Sequence, residues 1–538
     1  MPSPGKPHPR MHPKLKHGMV AAGDAVTAEN GAMIIREGGN AVDAAVAALA
    51  TAFIAEPALT AAGGGGFMLI RDNSGSSTLF DGFSRMPTMR IDSIADADFH
   101  AAPVDFGDTV QQFHIGRAAV ATPSLPAMLF AAHKQHGRMP IREVLAPAID
   151  AARNGVRLNG MQAGLLHLLR PILMREEESR RLHAADGELP NENEPFRNPD
   201  LAALLELLAI EGIDEMYHGD VARAIVAAIQ PGGLLTMQDL AGTQYAVRKP
   251  LAVPLANGTL LTNPPPSSGG CLIAFAARLL DTLHGHYPNL PFELLMAEAL
   301  RETSCARGHD FDRNVHRTGM ADDFLRPERL KESLAHIRER LKGHGHPPVH
   351  EAHSRLGSTT HISVLDRDGM AVSLTSSNGE GSGIVVPGTG LHLNNMLGEA
   401  DINPLGFHRL PGGAVLSSMM APGIFVQEGR PALTLGSGGS NRLRGAILQV
   451  LIRHLWLQEP IEAAVAAPRI HNEADNLDAE PHALTDELRH HLGTLGWQLR
   501  EWQQSSMYFG GVHAVALDAK GAVQGAADPR RTGSVALA

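Results

Sequence analysis

The feature that most constrains this chain is a change of character near residue 356. Upstream, residues 325–355 are charged, histidine-rich and proline-containing, with one helical stretch over residues 327–342 and then a polar linker over 343–355 that is expected to be flexible. Downstream, short apolar runs at residues 360–365, 370–375 and 390–393 read as strands, with Asp366-Arg367-Asp368-Gly369 as a hairpin turn. The junction Leu356-Gly357-Ser358-Thr359-Thr360-His361 therefore runs a polar linker straight into a hydroxyl residue that opens a strand. The chain has 538 residues, too many for one ordinary core, so two or more domains or one large multilayer unit are expected.

Before the junction the periodicity is mixed. Residues 19–70 read as a strand, an alanine-rich helix in two parts (31–37 and 41–55), the run Gly63-Gly64-Gly65-Gly66, and a strand over 67–71. Helical periodicity returns over 124–155 with a turn at Gly137, over 199–210 with Asn198 as N-cap and Pro199 at the first helical position, and over 220–230. Residues 176–198 are rich in Glu, Arg and Asn and read as a surface excursion. Pro264-Pro265-Pro266-Ser267-Ser268-Gly269-Gly270 reads as a rigid turn entering a helix over 271–283.

Composition excludes several classes. A net charge of -11, spread along the chain, argues against a nucleic-acid partner. Two cysteines, Cys271 and Cys305, make neither a disulfide framework nor a zinc pattern. The 28 histidines fall in no HExxH arrangement and read as solvent-exposed, so no metal or other cofactor is expected. The N-terminal run is basic and proline-rich with no apolar segment behind it, which predicts a cytoplasmic protein. The most apolar stretch, residues 44–55, is too short for a membrane span and reads as a buried helix.

A hydroxyl is a poor nucleophile near neutral pH and needs a base within hydrogen-bond reach. A threonine at a free N-terminus supplies its own, the α-amine. The run from Ser358 to Thr375 resembles the start of the small subunit of the γ-glutamyltransferases, a family of N-terminal-nucleophile hydrolases, in which the first Thr of a Thr-Thr-His triplet is the nucleophile. Further family motifs follow in order: Asn378-Gly379-Glu380-Gly381-Ser382-Gly383, Leu393-Asn394-Asn395-Met396, Leu416-Ser417-Ser418-Met419, Gly436-Ser437-Gly438-Gly439-Ser440 and Asp528-Pro529-Arg530. Upstream, Gly38-Gly39-Asn40-Ala41-Val42-Asp43-Ala44, the glycine run and the 264–270 turn match as well, so the likeness covers roughly residues 18–531.

The resemblance implies an α/β fold, a four-layer αββα sandwich, built from a large fragment (1–358) and a small fragment (359–538) that begins with the nucleophile, the two forming a heterodimer after self-cleavage. It implies catalytic roles for Thr359, for Ser377 as the hydroxyl that poises it, and for the backbone N–H groups of Gly439 and Ser440 as the oxyanion hole, each such donor contributing ~3 kcal/mol. A one-residue gap would move that pair to Gly438 and Gly439. Asn378, Ser417 and Ser418 match positions that hold the substrate α-carboxylate, and Glu399 matches the partner of the α-amine, with Asp401 as the alternative.

Two departures qualify the likeness. Phe83 stands where the family carries an arginine for the glutamyl carboxylate, and Arg85 lies two residues on, on the same face if the strand continues. The connection from Glu399 to Ser417 is short, which predicts an open site with little lid. Loss of the arginine suits a non-γ-glutamyl acyl group, as in oxamate amidohydrolase or cephalosporin acylase, but Asn378, Glu399, Ser417 and Ser418 still offer partners for both charges of an amino acid, so the expected substrates are γ-glutamyl amides such as glutathione, with the other acyl groups as the alternative. A non-catalytic descendant is disfavoured because Thr359 and the glycines are present.

Overall fold

The computed structural model describes residues 15–90, 96–105, 110–185, 187–230, 232–242, 244–343, 357–518 and 520–538. In it the segments before and after residue 359 interleave within shared sheets. A seven-stranded antiparallel sheet runs in the order Ser534–Leu537, Met19–Ala22, Thr360–Leu365, Ala371–Ser377, Gly65–Arg71, Ser77–Gly82 and Ala246–Arg248. A six-stranded antiparallel sheet runs Val523–Ala527, Gly511–Leu517, Arg430–Gly438, Gly423–Gln427, Gly258–Thr262 and Leu251–Leu255. Strands from both sides of Thr359 are thus hydrogen-bonded neighbours in both sheets.

Alternation along the strands decides what each face meets. Ile362 and Val364 join Val20, Met68, Ile70, Val372 and Leu374 in a core shared with the helices Ala25–Arg36 and Ala41–Ala55. Every residue of Ala41–Ala55 is buried, and its start is secured by a capping box in which Asn40 and Asp43 satisfy each other's backbone N–H groups. Gly31 lets the two helices close, since a Cβ there would lie 3.1 Å from the Ala44 carbonyl. The other face, through Phe67, Leu69 and Leu365, shares a core with Ile424, Leu433, Leu435 and Val512 of the second sheet and with the helices Ser268–His286 and Leu443–Leu455. The result is a mixed α/β fold.

Most expected elements form within a few residues of their limits. Residues 124–155 resolve into Leu125–His136 and Ile141–Asn154, and the Asn198 side chain accepts from Leu201 N at 3.0 Å at the start of Pro199–Glu211. Two expectations need correction. The excursion at 176–198 holds a helix, Glu177–His183, and a strand, Pro195–Phe196, paired with Val156–Arg157, because its few apolar groups converge and the His183 ring stacks on Phe196. The histidines are not uniformly exposed: His183, His361, His392, His471 and His513 are buried. For His361 the reason is that its two ring nitrogens find hydroxyl partners between the sheets, Thr375 Oγ1 at 2.8 Å and Ser363 Oγ at 3.0 Å. The linker expected at 343–355 lies, apart from Gly343, outside the described residues, as do residues 1–14 of the basic N-terminal run. Among the described residues no helix is long and apolar enough to cross a membrane.

Candidate active site

The junction is buried. Ser358 and Thr359 retain 8% and 5% of their accessible surface, at the end of the strand Thr360–Leu365 in the middle of the first sheet. The neighbouring strand pairs Ser376 with Thr360, which brings Ser377 alongside Thr359. The Ser377 hydroxyl donates to the Ser358 carbonyl oxygen and accepts from Gly379 N at 2.9 Å. On the other side of the Ser358–Thr359 peptide, the Thr359 carbonyl accepts from Arg531 Nη1 at 3.1 Å. Ser358 N donates to Glu380 Oε1 at 3.3 Å. Three of the groups around this peptide bond are thus held by side chains, two from the segment Ser377–Glu380 and one from Arg531.

Beneath the strand, Thr360 points to the helix-covered face and donates to Glu56, which also accepts from Thr27 Oγ1 at 2.9 Å. Burial pushes the Glu56 carboxyl up to about 7. Burial likewise draws the Arg531 guanidinium down to about 10, still a cation at neutral pH. Arg531 is packed under glycine backbone, and a Cβ at Gly438 would lie 2.2 Å from the Thr359 carbonyl oxygen and 2.7 Å from Arg531 Nη1. The chain then turns sharply: Gly439 (φ 124°) and Ser440 (φ 50°) both have positive φ, an uncommon conformation for serine. The Ser440 hydroxyl donates to Asp401.

A narrow pocket of about 30 Å³ opens at this point, lined by Thr359, Ser377, Ser418, Ser440, Glu399, Asp401 and Ile402, with Phe83 and Met396 among its apolar walls. Six of the residues singled out from the sequence meet there. Gly438 and Gly439 border the junction through their backbone, and Asn378 and Ser417 are buried without lining the pocket. The turn at 264–270 explains how Ser418 is positioned. The Ser418 carbonyl accepts from Ser268 N (2.8 Å), Gly269 N (3.1 Å) and Ser267 Oγ (2.9 Å), and its hydroxyl accepts from Met420 N. The short connection after Glu399 folds back onto the chain through His408 Nε2 on the Ala118 carbonyl, and its Ile402 contributes to the pocket wall.

Arg85 does not join this group. The regular strand stops at Gly82, Arg85 bridges Thr122 and Val415, and its Nη1 lies 3.4 Å from the Gly413 carbonyl. Phe83 takes the pocket wall instead, stacked on Phe67 at 5.4 Å between centroids. Three residues at the junction escaped the sequence reading. Arg531 immediately follows the Asp528-Pro529-Arg530 motif, and Glu380 sits inside the Asn378–Gly383 motif, so both had a signal; Glu56 showed only as the polar end of an apolar helix.

Fold and pocket together are those of an α/β enzyme of the hydrolase and transferase type. The gamma-glutamyltranspeptidase family model matches residues 27–538, and the chain belongs to that family. It is 29% identical to the glutathione hydrolase proenzyme of Escherichia coli (strain K12), covering 96% of this chain and 91% of that protein. It is 30% identical to the glutathione hydrolase proenzyme of Pseudomonas aeruginosa, covering 96% and 94%. Among solved structures, the cephalosporin acylase of Bacillus halodurans superimposes with a TM-score of 0.83 over 99% of this chain and 98% of its own, at 22% identity.

Proposed function

We propose that the chain cuts itself before Thr359 and then uses Thr359 to cleave γ-glutamyl amides such as glutathione through an acyl-enzyme ester. The observation that carries this reading is the Ser377 hydroxyl on the Ser358 carbonyl oxygen, beside a buried threonine at a strand end. Attack by Thr359 Oγ on the Ser358 carbonyl carbon builds negative charge on that oxygen, and a donor already in place stabilises it. Collapse breaks the Ser358–Thr359 C–N bond, moves the hydroxyl proton to the departing amine and leaves an ester on Thr359 Oγ. Water hydrolyses the ester to a Ser358 carboxylate and a free Thr359 hydroxyl, and the new α-amine then serves as base for the substrate reaction. The same attack on an amide substrate gives an acyl-enzyme and releases an amine, and water or a second amine takes the acyl group.

The fragments of 358 and 180 residues stay together in this reading as a heterodimer, because their strands share both sheets. Two sheets face to face with helices outside each support the four-layer αββα sandwich of N-terminal-nucleophile hydrolases. Gly439 and Ser440 supply the oxyanion hole, and Glu399, Asp401 and Ser418 line the acyl pocket. A second reading has one specific support: Phe83 in the wall suits an acyl group without a carboxylate head, since it offers a carboxylate no donor.

Denaturing gels of purified protein test the first step. Wild type is expected as two bands and Thr359→Ala as one full-length chain. A fully active wild type that stays uncut overturns the mechanism. Turnover of γ-glutamyl-p-nitroanilide against glutaryl-p-nitroanilide decides between the two acyl readings.

A further inference from the structure

The mechanism above needs Thr359 and Ser377 at a fixed spacing, because one attacks the Ser358 carbonyl and the other holds its oxygen. The residues next to them in sequence, Thr360 and Ser376, are partners across two neighbouring strands. Thr359 and Ser377 line the pocket, whereas Thr360 and Ser376 do not. Their hydroxyls go instead to the segment that follows the helix Ala41–Ala55. Thr360 Oγ1 donates to Glu56, and Ser376 Oγ lies 2.7 Å from Thr60 Oγ1. Glu56 and Thr60 are joined to each other, since Thr60 N donates to the Glu56 carbonyl at 3.2 Å. One turn over residues 56–60 therefore grips both strand ends from the helix-covered side.

The grip is buried and fully engaged. Glu56, Thr60, Thr360 and Ser376 each retain 2% or less of their accessible surface. Both Glu56 oxygens are in use, because the one that Thr360 leaves free accepts from Thr27 Oγ1 at 2.9 Å. The backbone is cut back to admit them: a Cβ at Gly23 would lie 2.3 Å from Glu56 Oε2 and 3.0 Å from Thr360 Oγ1. A carboxyl sealed beneath an alanine-rich helix end lowers stability relative to an apolar side chain unless its directional bonds serve something. Neither Glu56 nor Thr60 lines the pocket, so what they can serve is the placing of the two strand ends.

We propose that Glu56 and Thr60 are positioning residues, which set the spacing of Thr359 and Ser377 by holding Thr360 and Ser376. The inference rests on the Thr359 reading above and adds to it two side chains that stand 304 and 316 residues upstream of the ones they hold.

The test separates kcat from KM in processed enzyme, using whichever of the two nitroanilides is turned over faster. Glu56→Gln keeps the shape of the side chain and loses one acceptor; Thr60→Val keeps the shape and loses the hydroxyl. Each is expected to lower kcat about tenfold or more with KM within about threefold of wild type, as misplacement of a reacting group does. Thr360→Val is expected to match Glu56→Gln, the double variant to be no slower than the slower single, and Thr360→Ser, which keeps the hydroxyl, to recover most of the rate. The proposal is overturned by a kcat within about twofold of wild type in both Glu56→Gln and Thr60→Val, by losses that multiply in the double variant, or by a Thr360→Ser as slow as Thr360→Val. If a variant stays uncut, its rate of band conversion is read with its melting temperature in the Thr359→Ala background. Slow conversion with the melting temperature kept within a few degrees supports positioning, and slow conversion with a collapsed melting temperature counts against it. Failure of the Thr359 reading shows differently, as activity without cleavage in wild type.

Discussion

The two faces of the strand Thr360–Leu365 make a useful contrast. Ile362 and Val364 face a dry core of alanine-rich helices. One residue out of step, His361 and Ser363 face the second sheet and are tied into hydroxyl and carbonyl partners: Thr375, Ser363 and, through the Ser363 hydroxyl, the His513 carbonyl at 3.0 Å. Ser373 and Thr434 continue the pattern, each donating to a carbonyl of the opposite sheet. The difference teaches that one strand carries two tasks. Burial of apolar surface holds it in register from one side, while directional bonds orient the residues near Thr359 from the other.

Removing a directional group should damage chemistry more than folding. Ser377→Ala takes away the donor on the Ser358 carbonyl, and self-cleavage is expected to slow by about 10²–10³-fold, the usual effect of losing one oxyanion donor. A time course of band conversion measures it; conversion at the wild-type rate would mean that this hydroxyl plays no part in the step.

The dry face should behave in the opposite way. Ile362→Ala is expected to lower unfolding free energy by about 2–5 kcal/mol through lost burial and a residual cavity, while the protein that folds still cuts itself. Denaturant titration of the variant in the Thr359→Ala background, where the chain stays whole, gives the number. A loss of stability below about 1 kcal/mol would show that the face is less tightly packed than its burial implies.

The pH dependence of stability sharpens the contrast, because the buried bases and acids work in opposite directions. Burial lowers His361 well below its ordinary range, His513 and His183 to about 4 and His392 to about 3. These four are neutral in the fold and bind protons on unfolding, so their contribution is complete above about pH 6.5 and is lost as the pH falls towards 4. Glu56 and Glu380, raised to about 7 and about 8, do the reverse: the fold keeps their protons, and stability declines as the pH rises through those values. Four groups against two means that the histidines win on the acid side. The melting temperature of Thr359→Ala is expected to rise from pH 5 to about 6.5 and then fall gently towards pH 8. A steady fall from pH 5 upward would contradict the buried neutral histidines.

The smallest effect is expected outside both faces. Arg85→Ala removes a guanidinium whose contact is the Gly413 carbonyl, so kcat/KM for γ-glutamyl-p-nitroanilide should change by less than about threefold. A fall of tenfold or more would mean that the guanidinium reaches the acyl pocket after cleavage, corresponding to loss of a charge-assisted contact of about 1.5 kcal/mol or more.

Much of this was legible in the residues themselves. The strand Thr360–Leu365 and the hairpin after it read from period-two alternation and an Asp-rich turn, and the helix Ala41–Ala55 from its apolar run and the Asn40 cap. Such features are local, set by propensity and by contacts a few residues apart. The family, too, was written in the order of motifs, several of which converge on one pocket although they are spread over much of the chain.

What only the tertiary structure decided is which charged and aromatic groups stand at that pocket. The choice between Phe83 and Arg85 turned on where a strand stops, which depends on partners at Thr122 and Val415 rather than on its own residues. Glu56 and Arg531 reach Thr360 and Thr359 across 304 and 172 residues of sequence. Glu380 is 22 residues from the Ser358 N–H it accepts, one strand hairpin away. A buried charge is tolerated only where distant donors meet it, and those meetings are a property of packed sheets that no local pattern encodes.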